Sequence, residues 1–161
     1  MDVRFTGKPI VIRWRTGLLD TAGNQAHAAT FIRTRLIILD SELRRNKTEL
    51  QRVLLHERFH FAWVRLGNPR RLAWEALLRT EWSAGARGEM GWSAEWRKQR
   101  LSEISVSKRM CAWREYCCES FCDTAAWVFG GAEGEVTLSV RYRRRRRNWF
   151  EEEFATRCVA I

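Results

Sequence analysis

One stretch decides the fold of this chain of 161 residues: residues 48–66, which read TELQRVLLHERFHFAWVRL. Apolar residues recur there at 50, 53, 54, 61 and 64, a spacing typical of an amphipathic helix. Asn46 and Thr48 offer oxygens that can cap the first turn, and Thr48-x-x-Gln51 fits a capping box. Gly67-Asn68-Pro69 ends the pattern, because glycine supplies a left-handed cap and proline cannot continue a helix. The sequence therefore predicts a helix over about 48–66.

The flanking sequence predicts a small N-terminal sheet followed by further helices. Residues 9–14 and 31–39 are rich in β-branched and aromatic residues and bracket a polar loop at 22–28, so we expect strands there. Helical patterns cover about 69–83, 93–104, 108–129 and 136–156, with a glycine-rich loop at 85–91. Strands followed by helices are typical of an α+β fold. With 45% hydrophobic residues, the chain is expected to form one mostly helical domain over residues 1–161.

The composition of the chain bears on its cellular compartment and on membrane contact. The first nine residues lack the apolar run of a signal peptide, and no stretch approaches the roughly 20 apolar residues that span a bilayer. Of the five cysteines, four lie between Cys111 and Cys122, unlike the spread framework of a secreted disulfide scaffold. We expect a cytoplasmic protein without membrane contact. Cys117, Cys118 and Cys122 lack Cys-x-x-Cys spacing and are expected to be buried apolar thiols.

The predicted helix carries His56-Glu57-Arg58-Phe59-His60, an HExxH pattern. Residues i and i+4 lie one turn apart on the same face, so both imidazoles can reach one zinc ion at about 2.0–2.1 Å. The carboxylate of Glu57 can reach a metal-bound water and act as a general base without being a ligand. In this apolar helix the three polar side chains would be costly to bury without a partner. The pattern predicts one Zn²⁺ per chain; the alternative is a pair of satisfied core histidines.

A zinc site needs a third protein ligand. On the predicted 108–129 helix, Glu119 and Asp123 share one face. Glu119 could bind the metal while Asp123 accepts an N–H from a ligand histidine and fixes its tautomer. Glu115, one turn earlier, is an alternative ligand, but the residue four positions after it is Glu119 itself, so it lacks a separate acidic partner.

His56-Glu57-x-x-His60 followed by Glu119-x-x-x-Asp123 resembles the pattern of gluzincins, a class of zinc metallopeptidases. In that class a second helix carries a glutamate ligand, and an aspartate four residues later supports a histidine. The small size is most similar to minimal gluzincins and to metallopeptidase domains that cleave bacterial and phage repressors, and the resemblance covers about residues 30–130. It implies a zincin-like fold and cleavage of a peptide or protein substrate. It also implies a role for each matching residue: His56, His60 and Glu119 as zinc ligands, Glu57 as catalytic base and Asp123 as support.

The sequence departs from the common form of this class between and after the histidines. Arg58 and Phe59 are bulky, and no histidine after residue 60 could donate to an oxyanion. Tyr116 and Tyr142, or an arginine, remain as candidate donors.

Zincin-type peptidases also present an edge strand to which an extended substrate adds by backbone hydrogen bonds. The candidate substrate strand comprises Thr34, Arg35, Leu36, Ile37, Ile38 and Leu39. An internal core strand is an equally weighted alternative for this segment.

The run of arginines from Arg143 to Arg147 raises a second functional hypothesis. With Tyr142 and Trp149 as stacking neighbours, this segment could dock nucleic acid or protein. The chain would then be a catalytically silent, zinc-stabilised binding module. A solvated face paired with the glutamates at 151–153 is the more common meaning of such a run, so nucleic acid is not the favoured partner.

Overall fold

The computed structural model describes residues 3–20, 23–131, 136–156 and 158–161. These residues form an α+β fold with a small N-terminal sheet, which confirms the predicted fold class. The strands are β1 (Arg4–Thr6), β2 (Val11–Arg15), β3 (Ala28–Phe31), β4 (Leu36–Asp40) and β5 (Cys158–Ala160). The helices are α1 (Lys47–Arg65), α2 (Asn68–Ser83), α3 (Trp92–Lys98), α4 (Glu103–Ser107), α5 (Cys111–Gly130) and α6 (Val140–Glu153), with a short 3-10 helix, Ser41–Arg45, before α1.

β4 is the central strand of a three-stranded sheet whose spatial order is β2, β4, β3. It pairs in parallel with β2 and antiparallel with β3. Ile37 and Leu39 alternate onto the same side of β4 and are fully buried in the core. The single strand predicted at 31–39 is therefore the end of β3, a turn and β4, and the loop predicted at 22–28 is described only from Gly23 onward.

The prediction of an exposed substrate strand over Thr34–Leu39 is wrong. Thr34 and Arg35 lie in the turn before β4. From Leu36 onward the backbone is hydrogen-bonded to a strand on each side, so it has no free edge for a substrate. Among the described residues, the edge strands of this sheet are β2 and β3.

Two features of the fold were not predicted. The chain end returns to its beginning, because β1 and β5 pair in parallel with Phe5 opposite Val159. The helix predicted at 93–104 is two short helices, since α3 ends at Lys98 and α4 begins at Glu103. Ser102 caps α4 through reciprocal hydrogen bonds with Ser105, which supply the first turn with local partners.

The core joins α1 to α5 through aromatic side chains. Phe59 of α1 is fully buried, and its ring centroid lies 5.8 Å from that of Phe121 on α5 and 6.3 Å from that of Phe150 on α6. Trp74 of α2 packs on Phe121 and donates its indole N–H to the carbonyl of Cys117 at 3.0 Å. These contacts place the polar residues of α1 beside those of α5.

Arg146 departs from a solvated face, as expected for part of the run, because five consecutive arginines on a helix point all round and some must find carboxylates. It is fully buried and donates hydrogen bonds to Glu81 at 2.7 Å and to Glu89 at 2.6 Å. Burial raises the pKa of Glu89, but the charge and hydrogen bonds of Arg146 outweigh it and lower that pKa to about 2. The buried ion pairs tie α6 to α2 and to the loop that follows α2, so one arginine of the run has structural partners inside the protein.

Candidate metal centre

The HExxH residues lie in the middle of α1, which begins as predicted. The side chain of Asn46 accepts the backbone N–H of Glu49 at 3.1 Å and so caps the first turn. His56 and His60 then fall one turn apart, with their Nε2 atoms 3.2 Å from each other. His56 is buried and His60 half-buried, so both rings are largely withdrawn from water.

Glu119 and Asp123 of α5 meet His56 from opposite sides of its ring. The Nε2 atom of His56 lies 3.2 Å from Oε2 of Glu119, and its Nδ1 atom lies 2.8 Å from Oδ1 of Asp123. Burial disfavours protonation of His56, but Asp123 and Glu119 outweigh it and raise the pKa of His56 well above its usual value. Burial likewise raises the pKa of Glu119, whereas the hydrogen bond from His56 and the neighbouring positive charges bring it far below its usual value. The two helices therefore form one polar cluster in a buried setting.

The start of α3 supports both carboxylates of α5, which the sequence did not predict. Ser93 donates its hydroxyl to Glu119 at 2.6 Å, and Arg97 lies 3.4 Å from the other carboxylate oxygen. The backbone N–H of Ala94 donates to Oδ2 of Asp123 at 3.0 Å. Gly91 leaves room for this contact, since a Cβ atom there would lie 2.5 Å from the carboxyl carbon of Asp123. No local pattern marks these residues, because their partners lie about 30 positions away.

Glu57 is fixed by the sheet rather than by the helices. Thr30 of β3 donates its hydroxyl to Oε2 of Glu57 at 2.6 Å. β3 is an edge strand, so the carboxylate next to the histidines lies directly beside a strand with one unpaired side. Thr30 falls at the boundary of the predicted loop and strand, and the sequence offered no signal for its contact.

His60 contacts two thiols through its second ring nitrogen. Sγ of Cys118 and Sγ of Cys122 each lie 3.5 Å from Nδ1 of His60. A hydrogen bond from Cys122 and the contact with His60 lower the pKa of Cys118 to about 6 despite its burial. The expectation of purely apolar thiols is therefore wrong for Cys118 and Cys122, which have polar partners.

Two distances between candidate ligand atoms match the spacing expected around a zinc ion. Two atoms bound to one tetrahedral zinc at about 2.0–2.1 Å lie roughly 3.3 Å apart. Nε2 of His56 is 3.2 Å from both Nε2 of His60 and Oε2 of Glu119. A proton held on Nδ1 of His56 by Asp123 would leave Nε2 of His56 free to bind a cation.

Cys122 offers a second way to complete the set. Within the described residues, His56, His60 and Cys122 form the group whose ligand atoms all lie within 4.8 Å of one another. However, the thiol lies against Nδ1 of His60, the nitrogen that does not face His56. Glu119, whose Oε2 atom lies 3.2 Å from Nε2 of His56, and Cys122 are therefore both candidates for the third ligand.

The remaining predicted candidates lie elsewhere. The hydroxyl of Tyr116 is buried and donates to Glu89 at 2.6 Å, so its hydrogen bond is not made to the histidines. Tyr142 lies on α6 beneath the guanidinium of Arg141, 5.7 Å from its ring centroid. Glu115 is exposed and accepts from the thiol of Cys111 at 3.1 Å, so the structure gives it no contact with the histidines.

Comparisons with protein-family models, curated proteins and solved structures find no match to this chain. Among the described residues, no helix has the length and apolar character needed to cross a membrane.

Proposed function

We propose that this chain is a zinc-dependent endopeptidase of the gluzincin type. The observation that carries the proposal is the position of His56, whose Nε2 atom lies 3.2 Å from both His60 and Glu119 while Asp123 holds Nδ1. The same four residues, in the same order, make up the resemblance noted in the sequence.

A bound zinc ion would supply an activated water and positive charge beside the scissile carbonyl. Glu57 adjoins the first histidine, and Thr30 holds its carboxylate at 2.6 Å, so Glu57 is oriented to take a proton from the attacking water. It would return this proton to the leaving amine nitrogen. Arg97, which contacts Glu119 at 3.4 Å, lies nearer the centre than Tyr116, whose hydroxyl is bound to Glu89, and is the arginine candidate for the oxyanion donor.

The substrate strand is reassigned to β3. This strand has a free side within the described sheet, and its Thr30 touches the proposed base. An extended peptide could add to β3 by backbone hydrogen bonds and bring its scissile bond next to Glu57. Peptides and unfolded protein segments are therefore the proposed substrates. A cytoplasmic location is also proposed, and the five free thiols support a reducing compartment.

The test combines metal content with peptide cleavage. Zinc per chain is measured in the wild type, His60→Ala and Glu119→Ala, and cleavage of a mixture of synthetic peptides is followed by mass spectrometry in the wild type and Glu57→Gln. We expect near one zinc in the wild type, loss in both ligand variants, and full zinc with at least about 100-fold slower cleavage in Glu57→Gln. Glu49→Gln, a change of the same type on the same helix, is the control. Absence of zinc after reconstitution, or unchanged cleavage by Glu57→Gln, would overturn the proposal.

A binding module remains the second candidate, supported by the surface of α6. Arg146 points into the core, which leaves Arg141, Arg144, Arg145 and Arg147 on exposed positions. Such a surface attracts polyanions in a salt-dependent manner. Binding of an oligonucleotide that survives Glu57→Gln and is lost when Arg144 and Arg145 are changed to Gln would favour this candidate; no binding at low salt would remove it.

A further inference from the structure

Helix α3 exposes two tryptophans beside the candidate metal centre. The side chain of Trp92 is 76% exposed and that of Trp96 38%, and their rings stack with centroids 6.2 Å apart and an interplanar angle of 26°. Trp92 is the most exposed of the large hydrophobic residues in the described chain. An indole left in water forgoes a large burial contribution, and exposed aromatic clusters commonly mark binding surfaces.

Two arginine side chains place positive charge next to this pair of rings. The guanidinium carbon of Arg100 lies 3.8 Å from the ring centroid of Trp96, and that of Arg97 lies 5.3 Å away. Arg97 forms an ion pair with Glu119, whereas Arg100 is exposed and forms no ion pair within the described part of the chain. Glu95, on the same helix, accepts the hydroxyl of Thr137 at 2.7 Å rather than pairing with Arg100. The exposed charge is thus available to an acidic group.

Trp92 and Trp96 lie on the same short helix as two residues that contact Glu119 and Asp123. Ser93 follows Trp92 and donates to Glu119, and the N–H of Ala94 donates to Asp123. One turn of helix rises about 5.4 Å, so Trp92 and Trp96 stand within roughly one turn of the residues that support the proposed zinc ligands. The exposed rings are therefore carried by the same short helix that supports the candidate ligands.

We propose that Trp92, Trp96 and Arg100 form a substrate subsite that binds an aromatic side chain together with an adjacent carboxylate of the peptide. The aromatic side chain stacks on the exposed face of Trp92, and the carboxylate pairs with Arg100. This inference rests on the proposed peptidase function and names its substrate class: peptides with an acidic–aromatic pair beside the scissile bond. A polynucleotide is the less favoured ligand, because stacking rings there would need a continuing track of cations for the phosphates, and Arg97 is already paired with Glu119.

The test measures binding without turnover, in the full-length Glu57→Gln protein loaded with zinc. Fluorescence anisotropy follows a labelled short peptide with a central Asp-Phe pair and its Asn-Phe and Asp-Ala counterparts. Trp92→Ala should weaken binding of the Asp-Phe peptide about tenfold. Arg100→Gln should weaken it roughly three- to tenfold while leaving the Asn-Phe peptide unaffected. Both substituted residues are exposed, so folding should be preserved, and zinc content is checked in each variant.

Trp14→Ala provides the matched control. Trp14 lies on β2, the edge of the sheet opposite β3, and carries the guanidinium of Arg44 at 4.4 Å from its ring centroid, the same pairing away from the centre. This variant should bind all three peptides like its parent. Equal weakening by Trp14→Ala and Trp92→Ala, no discrimination among the peptides, or tighter Trp92-dependent binding of a single-stranded oligonucleotide would overturn the subsite.

The outcome for the subsite is separable from that for the peptidase. Trp92-dependent peptide binding in a protein that never cleaves would support the subsite and reject the enzyme. In a cleaving wild type, unchanged kcat and KM for the Asp-Phe peptide after Trp92→Ala and Arg100→Gln would reject the subsite and leave the enzyme intact.

Discussion

The substitution Asp123→Asn probes the link between α5, α3 and the first histidine. Asp123 is buried and uses both oxygens: Oδ1 accepts from Nδ1 of His56 at 2.8 Å, and Oδ2 accepts from the N–H of Ala94 at 3.0 Å. Asparagine has the same shape and preserves the close approach to Gly91. It has one oxygen and one NH₂ group, however, so it can accept only one of these two hydrogen bonds.

Each orientation of the amide carries its own penalty. If the NH₂ group faces His56, the imidazole must place its proton on Nε2, the nitrogen that the proposed zinc ion requires. Loss of such a supporting contact typically lowers metal affinity 10–100-fold, or about 1.4–2.7 kcal/mol. If the NH₂ group faces Ala94 instead, a buried backbone N–H loses its acceptor, at about 1–3 kcal/mol of unfolding free energy. We therefore expect Asp123→Asn to lower the zinc affinity, the free energy of unfolding, or both.

Both quantities can be measured on the same preparations. Zinc affinity is determined by competition with a chromophoric chelator, and the free energy of unfolding by urea denaturation of the metal-free protein. Glu115→Gln, on the exposed side of the same helix, is the control and should match the wild type in both. If Asp123→Asn also matches the wild type in both, the reasoning that His56 is oriented by Asp123 is refuted.

Two further predictions concern the buried ion pairs. Arg146→Met leaves Glu81 and Glu89 without their buried counter-charge and should lower the free energy of unfolding, measured in urea, by about 3–5 kcal/mol. The control Arg144→Met, at an exposed position, should change it little. Equal effects of the two substitutions would contradict the structural role of Arg146. The pKa of Glu89 is lowered from 4.5 to about 2 in the folded protein, so its contribution, on the order of 3 kcal/mol, is complete above about pH 4.5 and is lost as the pH falls toward 2. Between pH 6 and 3, the free energy of unfolding measured in urea should therefore fall more steeply in the wild type than in Glu89→Gln. Parallel curves for the two proteins would argue against the lowered pKa of Glu89.

The local features of the site could be read from the sequence because they involve few residues in succession. The spacing of His56 and His60 becomes a shared helical face wherever a helix forms, and the cap at Asn46 acts within one turn. The choice of α5 as the partner helix was also predictable in outline, since Glu119 and Asp123 share a face by the same rule. That Asp123 contacts His56 depends on packing across 67 positions of the chain.

Other features escaped prediction because they depend on what lies across the core. The strand pattern of Leu36–Leu39 indicates apolar faces but not how many neighbours pair with it, so the sequence left an edge strand and an internal strand equally open. A run of five arginines implies that some find carboxylates, but only packing brings Glu81 and Glu89 beside Arg146 from α2 and the following loop. Cys118 and Cys122 look apolar until His60 is placed 3.5 Å away.

The sequence by itself determined the α+β class, the course of α1 and the spacing of the proposed catalytic and metal-binding residues, because periodicity and capping act over one or two turns. Tertiary structure alone decided which strand borders Glu57, which residues of α3 support Glu119 and Asp123, and that Trp92 stands beside them. These juxtapositions join segments about 30 residues apart, and they arise from the packing of helices around the aromatic core rather than from any local preference.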